Sequence, residues 1–270
     1  MSHLRSLRAL AAAVTAAAAL TSGASAAAEE LTYDGATSIA GKIMKEAVPR
    51  FEQKSGVKFA RVGTSGAGKG LKAALAGEVS VAGVSRALTP DELGRRPHFQ
   101  IIGYDALGVF VSQKNPVKVL TKAQLKGIYT GKIKNWKEVG GANLPIVACS
   151  EPVNSGRATV DAFRATVLDG DPYGAVKELD DASDCVKLIA GNPAALGPAT
   201  MAYSATGVRA IPLDGIMPSK DDIRAGTYLL SRPLLLVSRA RPTGALKQFY
   251  DFMLSPEGQQ IVAKSFVPVR

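Results

Sequence analysis

Apolar and polar positions along the chain fall into short runs with two different periods. Leu31-Thr32-Tyr33-Asp34 and Val57–Val62 alternate with period two and predict strands. Val79–Val84, Ile101–Ser112, Leu144–Ala148 and Leu229–Val237 are more continuously apolar and predict buried strands, the last interrupted by Arg232-Pro233. Helical spacing takes over between them. Ile39, Ile43, Met44 and Ala47 share one face, with Thr37 or Ser38 as the cap, a kink or restart expected at Pro49, and an end at Lys54-Ser55-Gly56. Further helices are predicted at Leu71–Ala76, after Thr89-Pro90-Asp91-Glu92, and after the capping box Thr121-Lys122-Ala123-Gln124. The spacing of Val160, Phe163 and Val167, the run Cys185–Ala190 and two stretches around Ser255-Pro256 predict the rest. Alternating strands and helices define an α/β protein with largely parallel sheets.

One junction stands out within this pattern. Gly63-Thr64-Ser65-Gly66-Ala67-Gly68-Lys69-Gly70 separates the strand ending at Val62 from the helix starting near Leu71. A glycine-rich strand-to-helix turn presents backbone N–H groups at the positive end of a helix, which suits an anion. Gly63 to Lys69 also fits the G-x-x-x-x-G-K of a nucleotide-binding loop. The next residue, however, is Gly70, where Mg²⁺ coordination needs Ser or Thr. A simple oxyanion is therefore favoured over a nucleotide.

Three more turns occupy equivalent positions: Thr37-Ser38, Ser85-Arg86 and Ser155-Gly156-Arg157. In open α/β sheets ligands bind outside the carboxyl ends of the strands. Backbone N–H groups, hydroxyls and an arginine fork together match a tetrahedral oxyanion.

The N-terminus and the composition narrow the setting. Arg5 and Arg8, the alanine-rich run Ala9–Leu20 and the small residues Ala24-Ser25-Ala26 form a secretory signal-peptide pattern over residues 1–26, with Ala26-Ala27-Ala28 as an alternative cleavage site. The mature chain is expected to be soluble and either periplasmic or secreted. The formal net charge is +10 and stays positive without Arg5 and Arg8. The basic residues are scattered and lack interleaved aromatics, so they suit an anionic ligand or a solvated basic surface and argue against nucleic acid. Cys149 and Cys185 are either a disulfide, worth roughly 3–4 kcal/mol, or two buried free thiols. With His98 as the sole histidine beyond residue 26, no metal-ligand spacing exists, and neither metal nor other cofactor is expected. The same histidine is the sole imidazole base open to a serine hydrolase, and no G-x-S-x-G elbow accompanies it. Neither enzyme class, NTPase or hydrolase, is favoured.

The chain resembles the phosphate-binding proteins of bacterial phosphate ABC transporters, within the periplasmic solute-binding superfamily. The most specific stretch runs from Leu120 through Ile128-Tyr129-Thr130-Gly131 and Asn135-Trp136 to Gly140-Gly141. Ser85-Arg86-Ala87-Leu88, Asn192–Gly197, Ser231-Arg232-Pro233-Leu234, Leu254–Gln259 and the terminal Phe266-Val267-Pro268-Val269 are also similar. The resemblance implies the type II two-lobed fold, with ligand in a cleft and two hinge strands near Gly108–Ser112 and Arg232–Val237. Lobe one would comprise residues 27–107 and 235–270, and lobe two residues 108–234. It implies a monomer that captures inorganic phosphate or a similar tetrahedral oxyanion and hands it to a membrane ABC permease. The alternatives are a sensor or scavenger not coupled to uptake, or a binder of sulfate or molybdate. By position, Thr37, Ser38, Ser65, Gly66, Ser85, Ser155 and Gly156 would bind the ligand, and Arg86 and Arg157 are expected to bind it with them. Three departures from the family pattern bear on the ligand. Arg86 stands where Asp is usual, Arg157 follows Gly156 where Thr is usual, and Glu151 stands where some relatives have Arg. Glu151 either supplies the missing acceptor, pairs with Arg86 or Arg157, or is an exposed rim carboxylate.

Overall fold

The computed structural model describes residues 30–269, so the signal-peptide pattern at residues 1–26 lies outside the described residues. β1 (Leu31–Gly35) lies between β2 (Phe59–Val62) and β3 (Val81–Val84), parallel to both. Parallel neighbours need a crossover, and helices supply it. The first crossover runs from α1 (Thr37–Ile39) through a π turn (Ala40–Met44) into α2 (Lys45–Ser55). Ile39, Ile43, Met44, Ala47 and Phe51 are its buried face. The break expected at Pro49 takes another form. α2 continues through Pro49, and the irregularity is the π turn just upstream. Proline withholds one ladder hydrogen bond and crowds the preceding turn, and a widened turn is one way to absorb that. The second crossover is α3 (Ala67–Ala76), and the short α4 (Pro90–Gly94) follows β3.

β4 (His98–Ser112) carries the chain into the second lobe. There α5 (Lys122–Tyr129), β5 (Val147–Ser150), α6 (Ala158–Thr166), β6 (Lys177–Glu178), α7 (Ala182–Gly191), β7 (Ala195–Thr200), β8 (Val208–Ile211) and α8 (Lys220–Ala225) follow. β9 (Ser231–Ser238) returns to the first lobe, which α9 (Gly244–Leu254), α10 (Pro256–Ala263) and β10 (Val267–Pro268) complete. β5 is parallel to β6 and β7. The strands at the centre correct the expectation of largely parallel sheets. β4 is antiparallel to β7, β8, β9 and β10, and β9 is antiparallel to β3. One strand leaves the first lobe and the other comes back, so the pair has to oppose.

β4 pairs with β9 from His98 to Ala106 and with β7 from Leu107 to Val111. β4 therefore exchanges β9 for β7 at Ala106/Leu107, and Gly108–Ser112 lies within its pairing with β7 and β8. Pro233 is tolerated within β9 because β3 engages only Leu235–Val237 on that side, so no ladder bond is owed there.

Each lobe has its own core. Tyr33, Phe51, Leu71, Leu236 and Phe249 pack in one, and Leu107, Val109, Tyr129, Trp136 and Phe163 in the other. Phe110 points to the opposite face of β4 from Val109 and Val111 and packs under α7 with Ile189. Tyr129 and Trp136, from the most family-specific stretch, are buried. The Tyr129 hydroxyl donates to the Cys149 carbonyl at 2.9 Å and Trp136 Nε1 to the Ala194 carbonyl at 2.9 Å. That stretch holds the second lobe together. Cys149, on β5, and Cys185, on α7, lie side by side and buried as free cysteines, so the disulfide reading is not borne out. Gly197 makes room for them, since a Cβ there would come within 2.6 Å of Cys149 Sγ. Among the described residues no helix is long and apolar enough to cross a membrane.

Candidate oxyanion site

The cleft between the lobes holds a small polar cavity. Ala36, Thr37, Ser38, Gly66, Ala67 and Ser85 line it from the first lobe. Glu151, Arg157, Ala158, Thr159, Ala182, Thr200 and Tyr203 line it from the second, and Arg232 reaches it from the crossing strand β9. The cavity volume is about 20 Å³, where one water needs roughly 10–15 Å³. The guest has to be small.

Four helices begin at this cavity; α7, which starts at the lining residue Ala182, is capped by Asp181, and the other three have no side-chain cap. α1 starts after Ala36, α3 after Gly66 and α6 after Arg157, each without a capping hydrogen bond. Thr37 and Ser38, expected as possible caps, lie inside the first turn of α1. Away from the cavity α4, α5, α8 and α10 are capped by Thr89, Thr121, Ser219 and Ser255, while α9 has no side-chain cap. An uncapped N-terminus leaves N–H groups for a ligand and adds the positive end of the helix dipole. Three such ends facing one cavity form an anion cradle.

The glycine-rich turn is held from below. Asp34 Oδ1 accepts from the N–H groups of Gly35 at 2.8 Å and Ser65 at 2.9 Å, and Oδ2 accepts from Ser65 Oγ at 2.8 Å. Ser65 therefore spends its hydroxyl on Asp34 and does not line the cavity, whereas Gly66, at a φ of +99°, does. Gly70 explains the departure from a nucleotide loop. A Cβ there would sit 2.6 Å from Gly35 Cα, so α3 packs on β1 only with glycine at this position. Lys69 is exposed and does not line the cavity.

Ser85 lines the cavity, but Arg86 turns away from it. Its Nη1 and Nη2 bind Glu92 Oε2 and Oε1 at 2.7 and 2.8 Å, and its Nε faces Asp161 at 3.3 Å. Ser155 Oγ donates to the Pro152 carbonyl at 2.6 Å, and the Gly156 carbonyl accepts from the Gly68 N–H at 3.1 Å. These two residues shape the turn before α6 and do not line the cavity. The first-turn residues Ala158 and Thr159 line it in their stead, with Arg157. Arg157 Nη1 is buried without a hydrogen bond, 3.4 Å from Glu151 Oε1 and 3.8 Å from Asp181 Oδ2.

Several site residues escaped the sequence reading. Arg232 donates from Nε and Nη2 to Asp105 Oδ2 at 3.0 and 2.7 Å, and Thr200 Oγ1 donates to Asp105 Oδ1 at 2.8 Å. Arg232 and Asp105 are directly opposed on the crossing strands and almost fully buried. A charge inside an apolar strand was the available signal, carried by Asp105 in Ile101–Ser112 and Arg232 in Leu229–Val237. Tyr203 lines the cavity with Thr37, and burial pushes its phenol up to about 12, so it stays protonated. Glu151 is 4% exposed, which removes the rim-carboxylate reading. Burial pushes its carboxyl above the ordinary range, against the pull of Arg157. Arg157 and Arg232 are thus faced by Glu151, Asp105 and Asp181, so little net positive charge remains and the helix ends carry the attraction. His98 packs on Tyr250 away from the cavity, so no serine–imidazole pair exists among the lining residues. Among the described residues no cluster of His, Cys, Asp or Glu could hold a metal.

Two lobes, two crossing strands and a closed polar cleft define a solute-binding protein architecture, and residues 20–257 match the family model of the PBP superfamily domain. The chain belongs to that superfamily. It is 29% identical to Phosphate-binding protein PstS of Bacillus subtilis over 88% of this chain and 80% of that protein. A Clostridium perfringens structure with bound phosphate, reported as a phosphate ABC transporter substrate-binding protein, superposes with a TM-score of 0.81 at 34% identity. That alignment covers 90% of this chain and 100% of the other. An ABC-type phosphate transport receptor from Vibrio cholerae superposes at 0.76 with 27% identity, covering 89% and 100%.

Proposed function

We propose that this protein captures inorganic phosphate, or a tetrahedral oxyanion like it, in the cleft and delivers it to a membrane ABC permease. The observation that carries the reading is the convergence of three uncapped helix N-termini, from both lobes, on one small cavity beside the open Arg157 donor. The relatives with the phosphate-binding name support it. The protein acts as a monomer outside the cytoplasm and performs no covalent chemistry. Calorimetry on protein unfolded and refolded to strip any anion tests this. One phosphate per chain is expected. Absence of heat with phosphate, sulfate and molybdate overturns the reading. Arg157→Ala removes a charge-assisted donor worth about 1.5–3 kcal/mol, so phosphate affinity is expected to fall roughly 10- to 150-fold. Unchanged affinity would remove Arg157 from the site.

Glu151 sets the choice among oxyanions. A cradle of donors binds any oxyanion, but a carboxylate within it accepts a proton that hydrogen phosphate carries and sulfate lacks. Glu151→Gln is expected to narrow the preference for phosphate over sulfate by at least about tenfold, or 1.4 kcal/mol. The same change moves stability the other way. The folded state raises the Glu151 pKa, so the group contributes stability below its unfolded pKa and loses it as pH rises through the folded one. Glu151→Gln is therefore expected to melt above wild type at neutral pH, with the gap closing in the ordinary carboxylate range. A variant that loses stability at neutral pH, or keeps full discrimination, contradicts this role.

A further inference from the structure

We propose that Arg86 is a positioning residue, a strut that stands outside the anion cradle and latches the two lobes together through Asp161. The proposal rests on the cleft closing around an anion, and adds how closure is held. Arg86 directly follows Ser85, which lines the cavity. Its side chain is 8% exposed and is fixed to its own lobe by both Glu92 oxygens and by the Ala87 carbonyl at 2.9 Å. Glu92 is itself held, because its Oε2 accepts from the Thr89 N–H at 2.8 Å in the capping box of α4. The guanidinium is thereby aimed as a rigid fork.

The Nε donor of that fork is not used by its own lobe. Nε is buried, makes no hydrogen bond, and faces Asp161 Oδ2 at 3.3 Å. Asp161 lies on α6, which belongs to the opposite lobe and whose first turn lines the cavity. Its carboxylate is about one-third exposed and makes no other ion pair among those formed by the described residues. The latch therefore joins the turn bearing Ser85 to the helix bearing Ala158 and Thr159. A second bond lies on the same seam. The Gly68 N–H reaches the Gly156 carbonyl at 3.1 Å, and a Cβ on Gly68 would approach that oxygen to 2.9 Å.

The arrangement is asymmetric in a useful way. When the lobes part, Arg86 keeps Glu92 and Asp161 regains water, so neither charge is stranded. Opening loses a single ion pair, and closing re-forms it without rebuilding either partner. A direct ligand role for Arg86 would require breaking the Glu92 fork, which no other cation replaces.

Asp161→Asn is the direct test, since it leaves the Arg86–Glu92 fork and the N-terminus of α6 intact. Phosphate dissociation, followed by stopped-flow, is expected to accelerate about three- to tenfold with association unchanged. Arg86→Lys keeps charge but loses the fork and is expected to behave likewise. Arg86→Lys made in the Asp161→Asn background should add little. A direct ligand role for Arg86 predicts instead that Arg86→Lys weakens phosphate equally in both backgrounds. Small-angle scattering of the anion-free protein gives a readout that does not need the ligand, with a larger radius of gyration expected for Asp161→Asn than for wild type. Wild-type dissociation rate and wild-type radius in Asp161→Asn overturn the latch. Failure of wild type to bind any oxyanion would instead overturn the proposed function, with the scattering comparison still deciding the latch.

Discussion

Replacing Arg232 with alanine is expected to lower the unfolding free energy by about 3–5 kcal/mol and to take phosphate binding out of calorimetric range. Arg232 and Asp105 have side chains 4% and 2% exposed, and two of the hydrogen bonds to Asp105 come from this guanidinium. Removing one partner leaves Asp105 buried as an uncompensated charge, held only by Thr200. The damage falls at the point where both crossing strands change lobes, so cavity geometry and lobe register are lost together. Urea melts measure the first effect and calorimetry the second. Pairing Arg232→Met with Asp105→Asn removes both charges and is expected to recover most of the stability, because a matched apolar replacement of a buried pair is often neutral or better. Binding should not recover, since Arg232 also lines the cavity. Wild-type stability in Arg232→Ala would mean that the pair is not buried as described.

Gly70→Ser restores the consensus of a nucleotide-binding loop and is expected to destabilise rather than create a new activity. The added Cβ would lie 2.6 Å from Gly35 Cα and 2.7 Å from the Asp34 carbonyl, both backbone. Overpacking against side chains costs roughly 1–3 kcal/mol. Backbone on both sides cannot rotate aside, so the upper end of that range or beyond is expected. α3 would lift from β1 and carry Gly66 and Ala67 out of the cradle, weakening phosphate as well. No affinity for a magnesium nucleotide should appear. A stable Gly70→Ser protein that binds nucleotide would reinstate the reading rejected here.

The sequence made the class of this fold legible because it depends on periodicity, and periodicity is local. The helix faces, the Thr89 and Thr121 capping boxes and the glycine turn after β2 are set by neighbours within a few residues. The direction of the central strands was not legible. An apolar run such as Ile101–Ser112 reads the same whichever neighbour it pairs with, and the exchange of β9 for β7 at Ala106/Leu107 is a property of the whole chain.

The site divides along the same line. Thr37, Ser38, Gly66, Ser85 and Arg157 meet at the cavity, and each sits at the strand-to-helix junction where motif reasoning looks first. Ser65, Arg86, Ser155 and Gly156 occupy the same junctions but face other partners. Their partners are Asp34, Glu92 with Asp161, Pro152 and Gly68, most of them remote in sequence. Position in a turn fixes where a residue stands, not which way it faces. Arg232, Thr159, Thr200 and Tyr203 were missed for the converse reason. Arg232 and Thr200 stand on strands, Tyr203 on the turn after β7 and Thr159 in the first turn of α6, and only the packing of one lobe against the other brings them to one cavity. The most family-specific stretch, around Tyr129 and Trp136, identifies the fold while touching none of the cavity.

A crystal structure of the protein grown with phosphate tests the central claim most directly. A single tetrahedral anion is expected in the cleft, bound by the first-turn N–H groups of α1, α3 and α6, by Ser38 and Ser85, and by Arg157, with Glu151 on its protonated oxygen. Density for the anion on one lobe alone, or a cleft that stays empty while phosphate binds elsewhere, would contradict it.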